Sequence, residues 1–207
     1  MWGILLNILS EAILVSIVAA YVVFTNRAEL LKKLGYKNTY MDIPYDPETN
    51  LILVVKAHIP DYKEGIYVLP QTAKTGIYQE DASLTNAEEL GLSRNLYHPK
   101  VPLKYTGKSN RAKKSYLVCY VRVSKSAMVQ AANERDIPWT YDEEKDMFVV
   151  RSIKYEEAMF TTPERALEIL VNNVHLGPRP NNEKADVYLK SFSMLGKLFK
   201  LDTADQA

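Results

Sequence analysis

The sequence is poor in the residues that most reaction chemistry uses. One cysteine, Cys119, in 207 residues excludes an internal disulfide and a cysteine-built zinc site. It lies in a strand-like run, where a buried thiol is expected rather than a nucleophile. The three histidines, His58, His98 and His175, are far apart in the chain, and none has a second histidine or cysteine three or four residues on, so no helical zinc motif forms. Glycine is scarce at 8 residues, and the phosphate-cradling spacings GxxxxGK[ST] and GxGxxG are missing, as is the serine elbow GxSxG. Asp142 to Asp146 contains Lys145 and lacks the glycine of a calcium loop. A net charge of +1 gives no long-range attraction toward nucleic acid. These absences point to a chain without catalytic motif, metal or cofactor, with no small-molecule substrate indicated and no nucleic acid expected as partner.

What the chain does have is a long apolar run near its start. Ile4 to Phe24 holds no Lys, Arg, Asp, Pro or Gly, and about twenty such residues at ~1.5 Å each span the ~30 Å core of a bilayer. The run reads as one transmembrane helix. Arg27, Lys32, Lys33 and Lys37 follow it, which orients the rest of the chain toward the cytoplasmic or an equivalent inner side. Asn7, Ser10 and Glu11 fall on one helical face within the span. A carboxyl in lipid costs several kcal/mol unless it is paired or protonated, so these three residues are the expected contact with other membrane helices.

The division that follows is an anchor with its extension (1–37), a linker (38–50) containing Pro44 and Pro47, and an α+β domain (51–207). The expected domain has five to seven short strands in a mainly antiparallel sheet and three or four helices. Leu51 to Ile59 is a β-branched run that pairs with Gly65 to Leu69 as a hairpin. Thr85 with Glu88 forms a capping box for a helix over 85–92. Ser115 to Ser124 alternates as a strand, and Ser124 or Ser126 caps the next helix. Trp139 to Tyr141 and Met147 to Ile153 form a second hairpin. Thr162, Pro163 and Glu164 start a helix. The last helix, 183–201, carries an apolar stripe of Val187, Phe192, Leu195, Leu198 and Phe199.

Two surfaces carry interaction chemistry. The basic segment Lys104, Lys108, Arg111, Lys113 and Lys114 is either a solvated loop or a patch for acidic groups. The terminal helix either packs on the domain or lies along a membrane or partner. Fourteen tyrosines add to the expectation of interfaces. The expected function is a single-pass, membrane-anchored structural or accessory subunit of a larger assembly, such as a secretion apparatus, a membrane-containing virion or an organellar energy-transducing complex. Its partners are membrane lipid and other subunits. The alternative is a membrane-tethered module that recognises anionic lipid or nucleic acid through 104–114. An enzyme with dispersed residues requires a pocket that brings His58, His98 or His175 beside carboxylates or Cys119.

Overall fold

A computed structural model describes residues 13, 15, 16, 27–58, 65–73, 79–99, 104–110, 112–150, 154–176 and 182–202. Among these, ten strands form one sheet, and its order along the main path is β5-β7-β1-β2-β10-β9-β8. The strands are β1 (Lys37–Asp46), β2 (Leu51–Ala57), β3 (Ile66–Val68), β4 (Gln71–Thr72), β5 (His98–Pro99), β6 (Lys104–Ser109), β7 (Lys114–Arg122), β8 (Trp139–Asp142), β9 (Met147–Val150) and β10 (Tyr155–Thr161). The helices are α1 (Arg27–Lys33), α2 (Gln79–Leu90), α3 (Lys125–Glu134), α4 (Pro163–Leu176) and α5 (Asn182–Asp202).

The sheet is mixed, which corrects the expected mainly antiparallel arrangement. Its longest ladder is parallel and joins β1 to β7 from Lys37↔Lys114 through Tyr45↔Arg122. The second correction concerns β1 itself. The expected irregular linker is instead a central strand, buried from Thr39 onward. Pro44 is tolerated there for a definable reason. Odd-numbered residues of β1 bond toward β7: Lys37 N–H reaches the Lys113 carbonyl at 2.8 Å, and Val123 N–H reaches the Tyr45 carbonyl at 2.9 Å. Even-numbered residues face the other way, so the missing N–H of Pro44 costs no β7 bond. On that other side β4 pairs only at Tyr40 and Met41, and β2 only at Tyr45 and Asp46. Pro44 falls in the gap between them.

Further differences follow from context. Helix α2 begins at Gln79 rather than at the expected Thr85, which is mid-helix with its hydroxyl donating to the Asp81 carbonyl at 2.9 Å. Tyr155 to Thr161 forms a strand that pairs with both β2 and β9. The basic segment spans β6 and the start of β7, which pair as a hairpin. Several expected elements are present as read: the β2–β3 and β8–β9 hairpins, the α3 cap at Ser124, and the α4 start at Thr162.

Side-chain alternation sorts the core into two layers. Leu53, Val55, Cys119 and Val121 face α2, α3 and the β8–β9 hairpin. Ile52, Val54, Met41, Ile43, Tyr116, Val118 and Tyr120 face α4 and α5. Both faces of β7 are therefore buried. Within α5, Val187, Phe192 and Leu195 pack into this second layer, so the terminal helix lies on the sheet. Tyr120 donates to the Ser191 carbonyl at 2.8 Å beneath it. The side chains of Leu198 and Phe199 lie outside the described residues.

The expected span Ile4–Phe24 lies outside the described residues apart from residues 13, 15 and 16. Among the described residues no helix is long and apolar enough to cross a membrane.

Trp139 joins the two halves of the first layer. Its indole N–H donates to the Leu90 carbonyl at 2.6 Å, at the end of α2, and the side chain is buried. Trp139→Phe is expected to lower unfolding free energy by about 1–2 kcal/mol, because a buried carbonyl loses its donor. Urea titration followed by circular dichroism checks this.

Candidate functional site

The polar centre of the molecule is Asp42, in the middle of β1. Its side chain has the same parity as Tyr40 and so points toward α2. The carboxyl is fully buried. Three side chains converge on it: Ser83 Oγ donates to Oδ1 at 2.8 Å, while Asn86 Nδ2 and the Tyr97 hydroxyl donate to Oδ2 at 2.9 and 2.8 Å. Ser83 and Asn86 are three residues apart and share a face of α2. Burial pushes the Asp42 carboxyl up to about 6, against the pull of the hydrogen bonds from Asn86, Ser83 and Tyr97. The Tyr97 phenol is pushed well above its ordinary value by burial and then by the Asp42 charge. Asn86 Oδ1 is buried and accepts no hydrogen bond.

The strand pairing opens space for this cluster. Because β1 and β2 pair only at Tyr45 and Asp46, they diverge upstream, and β3 and β4 fill the split. Asp42 N–H bonds to the Pro70 carbonyl at 2.9 Å there. At the rim, Lys154 donates to the Gln71 carbonyl at 2.9 Å and forms an ion pair with Glu89 on the last turn of α2. Both groups reach solvent, with side chains 39% and 25% exposed. The Lys154 ammonium also lies 5.1 Å from the Tyr155 ring centroid. The Tyr155 phenol is held in its neutral form by burial, then by the Glu89 carboxylate. The site thus has an accessible carboxylate–ammonium pair outside and a buried hydrogen-bonded carboxyl inside, joined by one helix.

The end of that helix is tightly set. Leu92 N–H bonds to the Ala87 carbonyl at 2.9 Å and Gly91 N–H to the Glu88 carbonyl at 3.0 Å, with Gly91 at φ +66°. This double closure fixes where Glu89 points.

The sequence-derived candidates lie elsewhere. Asn7, Ser10, Glu11 and Arg111 are outside the described residues. Lys104 and Lys108 are on β6, Lys113 is in the turn at φ +50°, and Lys114 opens β7. The histidines do not meet. His58 has Nδ1 3.4 Å from Glu156, His98 Nε2 lies 2.9 Å from the Asn95 carbonyl, and His175 is exposed near the end of α4. Cys119 is buried. Among the described residues no group of three or more His, Cys, Asp or Glu side chains is placed to hold a metal ion. An open depression of about 510 Å³ beside α3, bordered by Thr49, Lys125, Val129 and Asn133, shares no residue with the Asp42 cluster. Sequence reasoning missed Asp42, Glu89 and Lys154. The one usable signal was an acidic residue between Met41 and Ile43, in a stretch assigned to linker because of its prolines.

No family model matches the chain, and no curated protein does. Solved structures align with the chain at low identity. An Ap4A hydrolase from C. elegans aligns at a TM-score of 0.49 and 11% identity, covering 78% of this chain and 98% of its own. A Nudix hydrolase from M. smegmatis aligns at 0.46 and 9%, covering 78% and 86%. The E. coli dihydroneopterin triphosphate pyrophosphohydrolase aligns at 0.40 and 10%, covering 73% and 94%.

These findings correct the expectation of a non-enzymatic, single-pass membrane subunit with its domain on the inner side of a bilayer, together with its membrane-tethered alternative. Among the described residues no helix can cross a membrane.

Proposed function

We propose that this chain is a hydrolase of phosphoric anhydrides, working at the rim of the β1–β2 split with Glu89 as general base and Lys154 as its cationic partner. The observation that carries this reading is the solvent-reachable Glu89–Lys154 pair, mounted on a helix that a buried carboxyl holds in place. Such polar burial is costly in a core, and a perturbed buried acid beside accessible charges is a recognised mark of a working site.

The chemistry follows from the two rim groups. Glu89 takes a proton from water as the water oxygen attacks phosphorus. The P–O bond of the anhydride breaks, and the leaving phosphate departs with the bridging oxygen. Protonated Glu89 then returns its proton to solvent. Lys154, bonded to the Gln71 carbonyl, faces the negative charge of the substrate and orients Glu89. Asp42, Ser83, Asn86 and Tyr97 touch no substrate and act as positioning residues by pinning α2.

The test uses the full chain with magnesium and a panel that begins with Ap4A and dihydroneopterin triphosphate, read by chromatography of the products. Turnover is expected, and Glu89→Gln is expected to reduce kcat about 10²- to 10⁴-fold with the circular dichroism spectrum unchanged. Absence of turnover across the panel, or a Glu89→Gln chain as active as the parent, overturns the reading.

A further inference from the structure

One end of the sheet gathers five lysines. Lys37 opens β1 and Lys114 opens β7, and the parallel ladder pairs these two residues directly. Directly paired residues project to the same face of a sheet, so the two cationic chains run side by side. That face is the one covered by α5, whose first turn brings Lys184 to the same place. Lys114 is half-buried, and its ammonium is pushed toward the neutral form by burial first, then by Lys184 and Lys37. Around the other side of the strand end, Lys108 and Lys113 lie 5.5 and 4.9 Å from the centroid of the Tyr36 ring.

None of Lys37, Lys108, Lys113 and Lys114 forms an ion pair with a described carboxylate. Glu183 is the carboxylate at the margin, and its Oε1 accepts from Asn110 Nδ2 at 3.0 Å, while Asn110 Oδ1 accepts from the Tyr36 hydroxyl at 2.6 Å. Like charges held this close oppose folding, and a multiply charged anion removes that repulsion on binding.

We propose that this strand end is a binding site for a compact free anion bearing several phosphate groups, of the inorganic tripolyphosphate kind. Lys37, Lys114 and Lys184 meet on one face of the strand end instead of tracking along a groove, which suits a short ligand rather than an extended backbone. Tyr36 is already occupied by two ammonium groups, which leaves its ring unsuited to base stacking. The proposal does not depend on the hydrolase reading, since it shares no residue with the Glu89 site.

Titration calorimetry of the full chain with tripolyphosphate tests it. Binding is expected to weaken about tenfold in Lys37→Gln and again in Lys114→Gln, as each removes a charge-assisted contact. Lys145→Gln, a remote exposed position, is expected to leave it unchanged. Lys37 is exposed, so its variant keeps the test valid if Lys114→Gln fails to fold. The proposal is overturned if tripolyphosphate gives no binding heat, or if affinity ignores Lys37→Gln. It also falls if a short single-stranded oligonucleotide or an anionic vesicle binds more tightly than tripolyphosphate and is lost on the same substitutions.

Discussion

Asp42→Ala melts roughly 10 °C below the parent chain. The substitution leaves three buried donors, on Ser83, Asn86 and Tyr97, without their acceptor. Each orphaned buried group costs about 1–3 kcal/mol, so a total near 4 kcal/mol is expected. For a domain of this length that corresponds to a shift of about 2–4 °C per kcal/mol. Calorimetry measures it, and a shift below about 3 °C rejects the network as a determinant of stability.

The same carboxyl carries a pH signature with a definite sign. Its folded value lies at about 6, above the ordinary 3.8, so the folded chain holds the proton more tightly than the unfolded one. The contribution is fully present below pH 4 and is lost as pH rises through 6. The loss is on the order of 3 kcal/mol. Asp42→Asn is expected to remove this dependence, so the stability gap between variant and parent changes between pH 4 and pH 7. A constant gap across that range contradicts the assignment.

Gly91→Ala is the second large effect. A Cβ there meets Pro138 Cγ at 2.4 Å and Cδ at 2.8 Å, and the backbone sits at φ +66°. The proline ring cannot rotate away, and an alanine resists the left-handed conformation. A loss of about 3 kcal/mol is expected, combining overpacking with backbone strain. The closure of α2 loosens with it, because Gly91 and Leu92 supply the two N–H groups that cap the helix. Chemical denaturation gives the free energy. Amide exchange at Leu92 reports the cap, and exchange no faster than in the parent refutes the link.

Much of the local structure was legible because local rules governed it. Ser124 accepts from Ala127 N–H as a cap residue should, and Thr162 accepts from Arg165 N–H before α4. Alternation in β7 and the apolar run of β2 marked strands directly. The failures occurred where pairing decided the outcome. Pro44 signals a linker in isolation, yet its nitrogen faces a gap in the ladder, and only the register of β1 between β4, β2 and β7 reveals that. Thr85 resembled a cap because a capping box needs only two residue types, but the helix had already begun at Gln79.

The candidate site was illegible for the same reason. Asp42, Glu89 and Lys154 are separated by 47 and 65 residues along the chain, with no shared motif. The amino-acid sequence alone determined the helix caps, the hairpins and the two-faced strands, since these depend on neighbours within a few residues. The tertiary structure alone decided that β1 runs parallel to β7, that the β1–β2 split admits β3 and β4, and that a carboxyl is buried beneath α2. Those outcomes depend on which strands lie side by side, a matter of long-range hydrogen bonding and burial that no short stretch of residues contains.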